Sequence, residues 1–158
     1  MIPTLYVLIG PAGSGKSTFC KDPLWKSGRL TVVVSPDTVR KLMWGDEADQ
    51  REPEKVFRRA YNTTCDCLCA GFDVIFDATS TASDVRKKLL HIVSGIRCRL
   101  VAIYMNTPLE ECKRRNKNRK RVVPEEVIER QHARMLKDAK NIPEQFDEIV
   151  IVEGWKRK

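Results

Sequence analysis

The stretch that decides the fold runs from Gly10 to Ser17 and reads Gly-Pro-Ala-Gly-Ser-Gly-Lys-Ser. A glycine, any four residues and then Gly-Lys-Ser form a loop whose backbone N–H groups surround phosphate oxygens. An apolar run, Thr4–Ile9, comes directly before the loop, and the residues from Lys16 onward favour a helix. Because a helix N-terminus also attracts anions, the stretch predicts a P-loop that binds nucleotide phosphates.

The loop residues have separate expected roles in binding Mg-ATP. The Lys16 ammonium would contact the β- and γ-phosphates, and the Ser17 hydroxyl would ligate Mg²⁺. ATP is the expected nucleotide, and other nucleoside triphosphates remain an alternative. The residues expected to contact the nucleotide are Gly10, Ala12, Gly13, Ser14, Gly15, Lys16, Ser17 and Thr18.

Beyond the loop, apolar runs alternate with segments of helical periodicity. The predicted strands are Thr4–Ile9 and residues 30–35, 73–76, 98–105 and 148–152, and the predicted helices are residues 16–22, 37–43, 53–70, 81–94, 108–119 and 124–140. This alternation predicts an α/β fold with a P-loop NTPase-like, doubly wound, mainly parallel sheet of about five strands flanked by helices.

The 158 residues suit one domain, residues 1–158. No basic leader precedes the first strand and no apolar run is long enough to cross a bilayer, so we expect a soluble protein without a membrane partner.

Basic residues exceed acidic ones and cluster in one segment. The chain carries 29 Lys and Arg against 21 Asp and Glu, a formal net charge of +8 that favours polyanionic partners. Seven basic residues fall within nine positions, and they are Lys113, Arg114, Arg115, Lys117, Arg119, Lys120 and Arg121. A solvated helix face is one explanation of this run, and phosphate contact is the other.

We predict that the basic segment, residues 112–123, is a helical lid that closes over the nucleotide. If it is helical, Arg115 and Arg119 project from one face and clamp the transferring phosphate. Arg114 and Lys117 would then point elsewhere, toward solvent or a polyanion.

Two carboxylates follow predicted strands, the edge at which parallel sheets bind their ligands. Asp37 follows residues 30–35 and would orient and deprotonate an acceptor hydroxyl. The alternative is that Asp37 only caps the next helix. Asp77 ends the run 73–76 and would reach Mg²⁺, often through water, or would be an ordinary turn former. With the loop, these residues predict a phosphotransferase that uses Mg-ATP.

These segments, in this order, resemble the 5′-hydroxyl polynucleotide kinase domains of bacterial and bacteriophage end-healing enzymes. The resemblance lies in residues 7–17, 35–50 with their Asp-Glu-Ala-Asp-Gln ending, 76–79, and 111–119 with Arg-Asn-Lys-Asn-Arg at 115–119. It implies Mg-dependent transfer of the ATP γ-phosphate to the 5′-OH end of DNA or RNA, in a bacterial or phage-infected host cytoplasm.

The resemblance also implies roles for individual residues. Asp37 would be the general base, and Arg40 would position the acceptor. Arg115 and Arg119 would grip the nucleotide from the lid. The residues implied in catalysis are Asp37, Lys16, Arg119 and Arg40, those implied in acceptor binding are Asp37, Arg40, Gln50 and Thr79, and those implied in metal binding are Ser17 and Asp77. Gln50 has the alternative of lining the nucleotide side.

Three classes of function remain open at this point. A polynucleotide 5′-kinase is the leading hypothesis. The first alternative is a P-loop kinase for another hydroxyl, on a nucleobase in DNA, a nucleoside or a small metabolite, since only the acceptor groove would differ. The second is a nucleotide-binding module without useful turnover. Bacterial relatives carry phosphatase and ligase modules on the same chain, so this chain is expected to act alone, to work with a separate phosphatase or ligase, or to phosphorylate a different hydroxyl.

Overall fold

The chain forms a five-stranded sheet in which every pair of neighbouring strands is parallel. A computed structural model describes residues 1–22 and 29–153; residues 23–28 and 154–158 of the predicted domain lie outside it. The strands are β1 Thr4–Ile9, β2 Thr31–Val34, β3 Asp73–Phe76, β4 Arg99–Asn106 and β5 Glu148–Glu153. Their spatial order is β2-β3-β1-β4-β5. The predicted α/β class and all five predicted strands are confirmed.

Helices cover both faces of the sheet, as such short, apolar parallel strands require. They are α1 Lys16–Lys21, α2 Pro36–Trp44, α3 Pro53–Cys69, α4 Ser83–Val93, α5 Leu109–Lys117, α6 Glu125–Asp138 and α7 Ile142–Gln145. A 3₁₀ turn, Ala139–Asn141, joins α6 to α7. The six predicted helices are present. Helix α7 was not predicted, because four residues are too few to show helical periodicity. None of the helices in the described ranges is long and apolar enough to cross a membrane.

The prediction of a helical lid through residues 112–123 is wrong for its second half. Helix α5 ends at Lys117, so the predicted helix 108–119 was two residues too long at its end. The buried side chain of Asn116 explains the ending, because it bonds both backbone groups of Val123. Its Nδ2 donates to the Val123 carbonyl at 2.7 Å, and its Oδ1 accepts from the Val123 N–H at 2.9 Å. These bonds fold residues 118–123 back as an irregular loop.

The strand order places three strand ends side by side. Because the strands are parallel, their carboxyl ends meet at one edge of the sheet, where ligands bind in open α/β folds. Strand β1 runs into the P-loop, and its neighbour β3 runs into Asp77. Next along, β2 leads through Ser35 into α2, which carries Asp37. The Asp77 N–H donates to the Val34 carbonyl at 2.8 Å, which ties the ends of β3 and β2 together.

Candidate active site

The P-loop turn depends on glycine at two positions. Gly13 and Gly15 have φ of +81° and +99°, in the left-handed region that other residues rarely adopt. Gly15 is the N-cap of α1. A Cβ on Gly13 would lie 2.3 Å from the carbonyl oxygen of Cys112, so Gly13 is also the point where the loop packs on α5.

Lys16 lies inside the loop that precedes it. Its ammonium is buried and donates to the carbonyls of Gly10 at 2.9 Å and Pro11 at 2.8 Å. Burial lowers the pKa of Lys16 to about 8; the charge of Asp77 opposes this change, and that of Arg119 adds to it. The two predicted nucleotide-binding cations therefore approach each other at the loop.

Ser17 and Asp77, the two predicted magnesium residues, are in contact. The Ser17 hydroxyl donates to Asp77 Oδ2 at 3.2 Å. Burial raises the pKa of Asp77, while Lys16 and the Ser17 hydrogen bond lower it and the charge of Asp37 raises it further. A hydroxyl and one carboxylate beside a phosphate loop are the oxygen donors that Mg²⁺ takes from proteins when the nucleotide supplies the rest. The residues present fit the ion.

Asp37 is not a helix cap. Ser35 is the N-cap of α2 and Pro36 follows it, so Asp37 lies in the first turn of the helix. The capping alternative is therefore wrong. The Asp37 carboxylate is 53% exposed, and its Oδ1 accepts from Arg40 Nη1 at 2.6 Å. Arg121 Nη1 lies 3.9 Å from the same oxygen. Asp37 is thus an accessible carboxylate with two guanidiniums beside it, close enough to Asp77 to affect its pKa.

Arg40 has a buried donor without a partner. Its side chain is only 10% exposed, and one end of the guanidinium is bonded to Asp37. Its Nε is buried and has no hydrogen-bond partner in the described part of the chain. A buried N–H without a partner costs on the order of 1–3 kcal/mol.

Of the two lid arginines, Arg115 contacts the loop from α5, and Arg119 lies beyond the end of that helix. Arg115, in α5, donates from Nε to Glu111 at 2.8 Å and from Nη1 to the Ser14 carbonyl at 3.4 Å. Arg119 lies beyond the end of α5 and is exposed, yet it is close enough to lower the pKa of Lys16. The predicted common helix face is therefore wrong, and the grip of both arginines on the nucleotide stays a prediction.

The rest of the basic run is largely neutralised. Lys113 pairs with Glu129 at 2.6 Å, Arg114 with Glu111 at 2.6 Å and Lys117 with Glu125 at 3.5 Å. Hydrogen bonds from Arg114 and Arg115 lower the pKa of Glu111 to about 2. The prediction that Arg114 and Lys117 point toward solvent agrees with their exposure, 65% and 68%, although each also has an acidic partner.

The remaining predicted residues are placed less centrally. The Thr79 carbonyl accepts from the Gly10 N–H at 3.0 Å, so this residue braces the start of the P-loop through its backbone. Gln50 is exposed, and its side-chain bond, to the Ala48 carbonyl at 3.3 Å, stays within its own loop. Thr18 is half-buried in the first turn of α1.

Three residues that sequence reasoning missed also hold the site. The Thr107 hydroxyl donates to the Ser14 carbonyl at 2.9 Å, and Gln131 of α6 accepts from the Ala12 N–H through Oε1 at 2.9 Å. Arg121 is the third, beside Asp37. The position of Thr107 just after β4 is a signal that could have found it. Nothing in the pattern around Gln131 distinguishes it from other polar residues of a helix.

A small apolar cluster fastens the loop to the two helices that flank the lid. Its buried members are Ala12, Cys112 of α5 and Ile128 of α6, and Leu109 and Val123 pack against them. The P-loop turn is therefore part of one packed unit with α5 and α6.

Comparisons with known proteins agree with this architecture. The model of the AAA_33 family, described as an AAA domain, matches residues 5–141. L-seryl-tRNA(Sec) kinase of Methanococcus maripaludis is 29% identical over 158 residues, which cover 96% of this chain and 55% of that protein. The chain thus spans about half the length of this curated relative.

Solved structures share the fold at low identity. A chain in the Pnkp1/Rnl/Hen1 RNA repair complex has a TM-score of 0.78 and 22% identity, covering 89% of this chain and 46% of that one. Mycobacterium tuberculosis APS kinase CysC, solved in complex with AMPPNP and APS, has a TM-score of 0.60 and 18% identity, covering 99% and 84%. The chain therefore shares the fold of these two proteins, a parallel sheet flanked by helices.

Proposed function

The chain belongs to the AAA_33 family of AAA domains, and from this premise we propose that it is a kinase that transfers the γ-phosphate of ATP to the 5′-OH end of DNA or RNA. The observation that carries the proposal is the place of Asp37. An exposed carboxylate lies at the carboxyl edge of the sheet, electrostatically coupled to Asp77 and bonded to an arginine with an unsatisfied buried donor. A nucleotide switch needs no such group.

The nucleotide side of the proposal rests on the loop. Lys16 is held at its centre and would exchange its two carbonyl partners for phosphate oxygens. Ser17 and Asp77 would hold Mg²⁺, which supplies charge neutralisation at the β- and γ-phosphates when bound. The APS kinase of the same fold was solved with the ATP analogue AMPPNP.

Asp37 would act on the acceptor. Its carboxylate would accept the proton of the attacking hydroxyl, and Arg40, bonded to that carboxylate, would help to position the acceptor. Arg115 and Arg119 would stabilise the charge of the transferring phosphoryl group.

Three observations favour a polynucleotide as the acceptor. Two guanidiniums beside Asp37 leave a net positive charge at the acceptor position, which suits an acceptor that carries phosphate. The Methanococcus relative is named as a kinase of a seryl-tRNA, and a chain of an RNA repair complex shares the fold. A separate ligase or phosphatase that acts on the same ends is the partner class we propose.

A kinase of small acceptors is the second candidate. The observation that favours it is the pairing of Lys113, Arg114 and Lys117 with acids, which reduces the free cationic surface at the lid. The APS kinase neighbour was solved with the small molecule APS.

One assay separates these candidates. The protein is incubated with γ-labelled ATP and Mg²⁺ and with 5′-OH oligonucleotides of DNA and RNA, nucleosides or small hydroxylated metabolites. We expect label at the 5′ end of the oligonucleotides. Label on the small acceptors alone would refute the polynucleotide proposal and support the second candidate.

The same assay tests the base. Asp37→Asn should lower kcat by 10²-fold or more while the KM for ATP stays within about threefold, because the carboxylate contacts the acceptor and not the nucleotide. Asp49→Asn is the matched control, since Asp49 is bonded to Arg51 in the exposed segment after α2. A loss of ATP binding in the Asp37 variant, with turnover retained, would assign Asp37 to the metal instead.

A further inference from the structure

Apart from Glu126, which shares the face of Arg130, the charges of α6 are sorted between its two sides. Residues 125–140 contain four acids and four bases: Glu125, Glu126, Glu129 and Asp138, and Arg130, Arg134, Lys137 and Lys140. Three of the acids are bound to other elements, Glu125 to Lys117, Glu129 to Lys113 and Asp138 to Arg86. The fourth, Glu126, lies at the start of the helix, one turn before Arg130. The acids are therefore removed from most of the outer surface of α6.

The bases of α6 remain on that outer surface. Arg130, Arg134 and Lys137 are exposed, and no ion pair within the described ranges involves them. Their spacing of four and three residues puts them on one face, roughly opposite Ile128 and Met135, which are fully buried. We call these three residues the α6 stripe. At 1.5 Å per residue it is about 10 Å long.

Helix α6 follows directly on the loop that places Arg121 beside the acceptor position. Arg121, whose guanidinium is 3.9 Å from Asp37, is four residues before the first residue of α6. Four residues span at most about 14 Å even when fully extended. Helix α6 therefore starts within about 14 Å of the Arg121 backbone, and the stripe begins five residues into the helix, at Arg130.

We propose that the α6 stripe binds the phosphodiester backbone of the acceptor strand beyond its reacting end. The inference rests on the proposed polynucleotide function and adds to it a second contact surface. The stripe is purely cationic over about two turns, and its cations recur every 5–6 Å, as a strand of repeated negative charges requires. Such contacts fix the strand without reading its sequence.

An acidic protein is the less suitable occupant. Protein interfaces are centred on buried aromatic or apolar anchors. The stripe offers none: Leu136, the exposed large apolar residue of α6, lies between Arg134 and Lys137 in sequence and therefore on a different side of the helix. Electrostatic contact with a flexible polyanion needs no anchor.

The test compares two variants that lose the same charge. The stripe variant carries Arg130→Gln, Arg134→Gln and Lys137→Gln; the control carries Lys87→Gln, Lys88→Gln and Arg97→Gln, three exposed cations in and after α4. Both are assayed with a 5′-OH dinucleotide and with a 5′-OH single strand of about 16 nucleotides. Because both variants lower the net charge by three, a general loss of positive potential affects them equally.

We expect the stripe variant to raise the KM of the long acceptor about tenfold and to leave the KM of ATP and of the dinucleotide within about twofold. Its salt dependence should also weaken: the log–log slope of KM for the long acceptor should fall by about 2, from three contacts at roughly 0.7 each. Each single substitution should cause about a third of that decrease in slope, so the test does not depend on the triple variant. The control should show neither effect.

Failure of the inference and failure of the proposed function give different results. Suppose that wild-type protein labels oligonucleotides. If the stripe variant then has the same KM values as the control, or if its KM rises equally for long and short acceptors, the inference is wrong and the function stands. If wild-type protein labels no oligonucleotide, the function is wrong and the inference falls with it. Normal kinetics with loss of a bound protein partner would reassign the stripe to that partner.

Discussion

Lys16 illustrates how a functional residue opposes stability. Its ammonium is buried and bonded to two neutral carbonyls, and only Asp77 gives it substantial opposite charge. Burial of a charge with neutral partners costs free energy, and the lowered pKa records that cost. The P-loop therefore holds its cation ready for phosphate at the expense of the free energy of unfolding.

This cost should be visible as a pH dependence. The pKa of Lys16 is about 8 in the folded protein and 10.5 for an ordinary lysine, so between these values the unfolded chain binds more protons. The free energy of unfolding contributed by Lys16 then rises with pH, by about 1.4 kcal/mol per pH unit at most. Urea unfolding of wild type and Lys16→Met is measured at pH 7, 8, 9 and 10. Above pH 8 the unfolding free energy of wild type should increase relative to that of the variant. The exposed Lys87→Met is the control, because its unfolding free energy relative to wild type should not change with pH. If the difference between wild type and Lys16→Met were equally independent of pH, the lowered pKa of Lys16 would be contradicted.

At the scale of elements, the P-loop is held from outside by the helices around the lid. Thr107, at the end of β4, bonds the Ser14 carbonyl, while Gln131 of α6 bonds the Ala12 N–H. Gly13 packs on the backbone of α5 at Cys112. Binding of phosphate by the loop and the position of α5 and α6 are therefore coupled through direct contacts.

Replacement of Gly13 tests the contact with α5. In Gly13→Ala, an alanine must adopt a left-handed backbone conformation. Its Cβ would also lie 2.3 Å from the Cys112 carbonyl oxygen, so the loop or α5 has to move. Gly45→Ala is the matched control, because Gly45 also has a left-handed φ, +77°, and has no atom within 4 Å of the added Cβ. The control should lose only about 1–2 kcal/mol of unfolding free energy. The Gly13 variant should lose more and weaken ATP binding at least tenfold; equal losses in urea unfolding and ATP titration would argue against a contact effect.

Replacement of Gln131 tests the contact with α6. Gln131→Leu removes the acceptor of the Ala12 N–H, which should cost about 1 kcal/mol in the ordered loop and raise the KM of ATP about fivefold. Gln131→Glu keeps an oxygen at the same place and should stay near wild type. Steady-state kinetics of the two variants checks this. A larger rise in the KM of ATP in the Glu variant would show that the charge of residue 131, and not its hydrogen bond, affects ATP binding.

All five strands and six of the helices could be predicted from the sequence, because each strand is a short apolar run and each of those helices has helical periodicity or a start signal. The P-loop, Asp77 and Ser17 were also predictable, since their contacts follow from strand ends that meet at one edge. The end of α5 was not predictable. It depends on Asn116 bonding Val123, a contact between two segments that no periodicity announces. The pairing of Lys113 and Lys117 with α6 likewise depends on how two helices pack, and Arg121 meets Asp37 across more than eighty residues of sequence.

At the scale of the whole molecule, one buried cation connects elements distant in sequence. Arg86 of α4 is fully buried, forms an ion pair with Asp138 at the end of α6, and bonds Gln145 of α7 at 3.2 Å. It also donates to the carbonyls of Ser80 and Thr81 at 2.8 and 3.1 Å. The loop that it fixes follows Thr79, which braces the P-loop. Arg86 therefore links the site to the far ends of α6 and α7.

Loss of this cation should destabilise the whole fold. Arg86→Met leaves Asp138 without its ionic partner in a largely buried position, which typically costs 3–5 kcal/mol. The double variant Arg86→Met with Asp138→Leu removes both charges and should recover part of that loss. Urea unfolding measures both, with exposed Lys87→Met expected within about 0.5 kcal/mol of wild type. No recovery in the double variant would mean that the carbonyl bonds, rather than the ion pair, carry the stability.

Strand β1 is first in the chain but central in the sheet, and this has a consequence for biosynthesis. Its partners are β3, through pairs such as Leu5 with Val74, and β4, through pairs such as Ile9 with Tyr104. On the ribosome, the apolar β1 emerges before both of its neighbours, and about a hundred further residues are translated before β4 is complete. Until then at least one edge of β1 is unpaired, and such strand edges aggregate or recruit chaperones. We expect ribosome-bound chains that end before Asn106 to bind chaperones and to be digested by protease whether or not ATP is present, and chains that extend past β5 to resist.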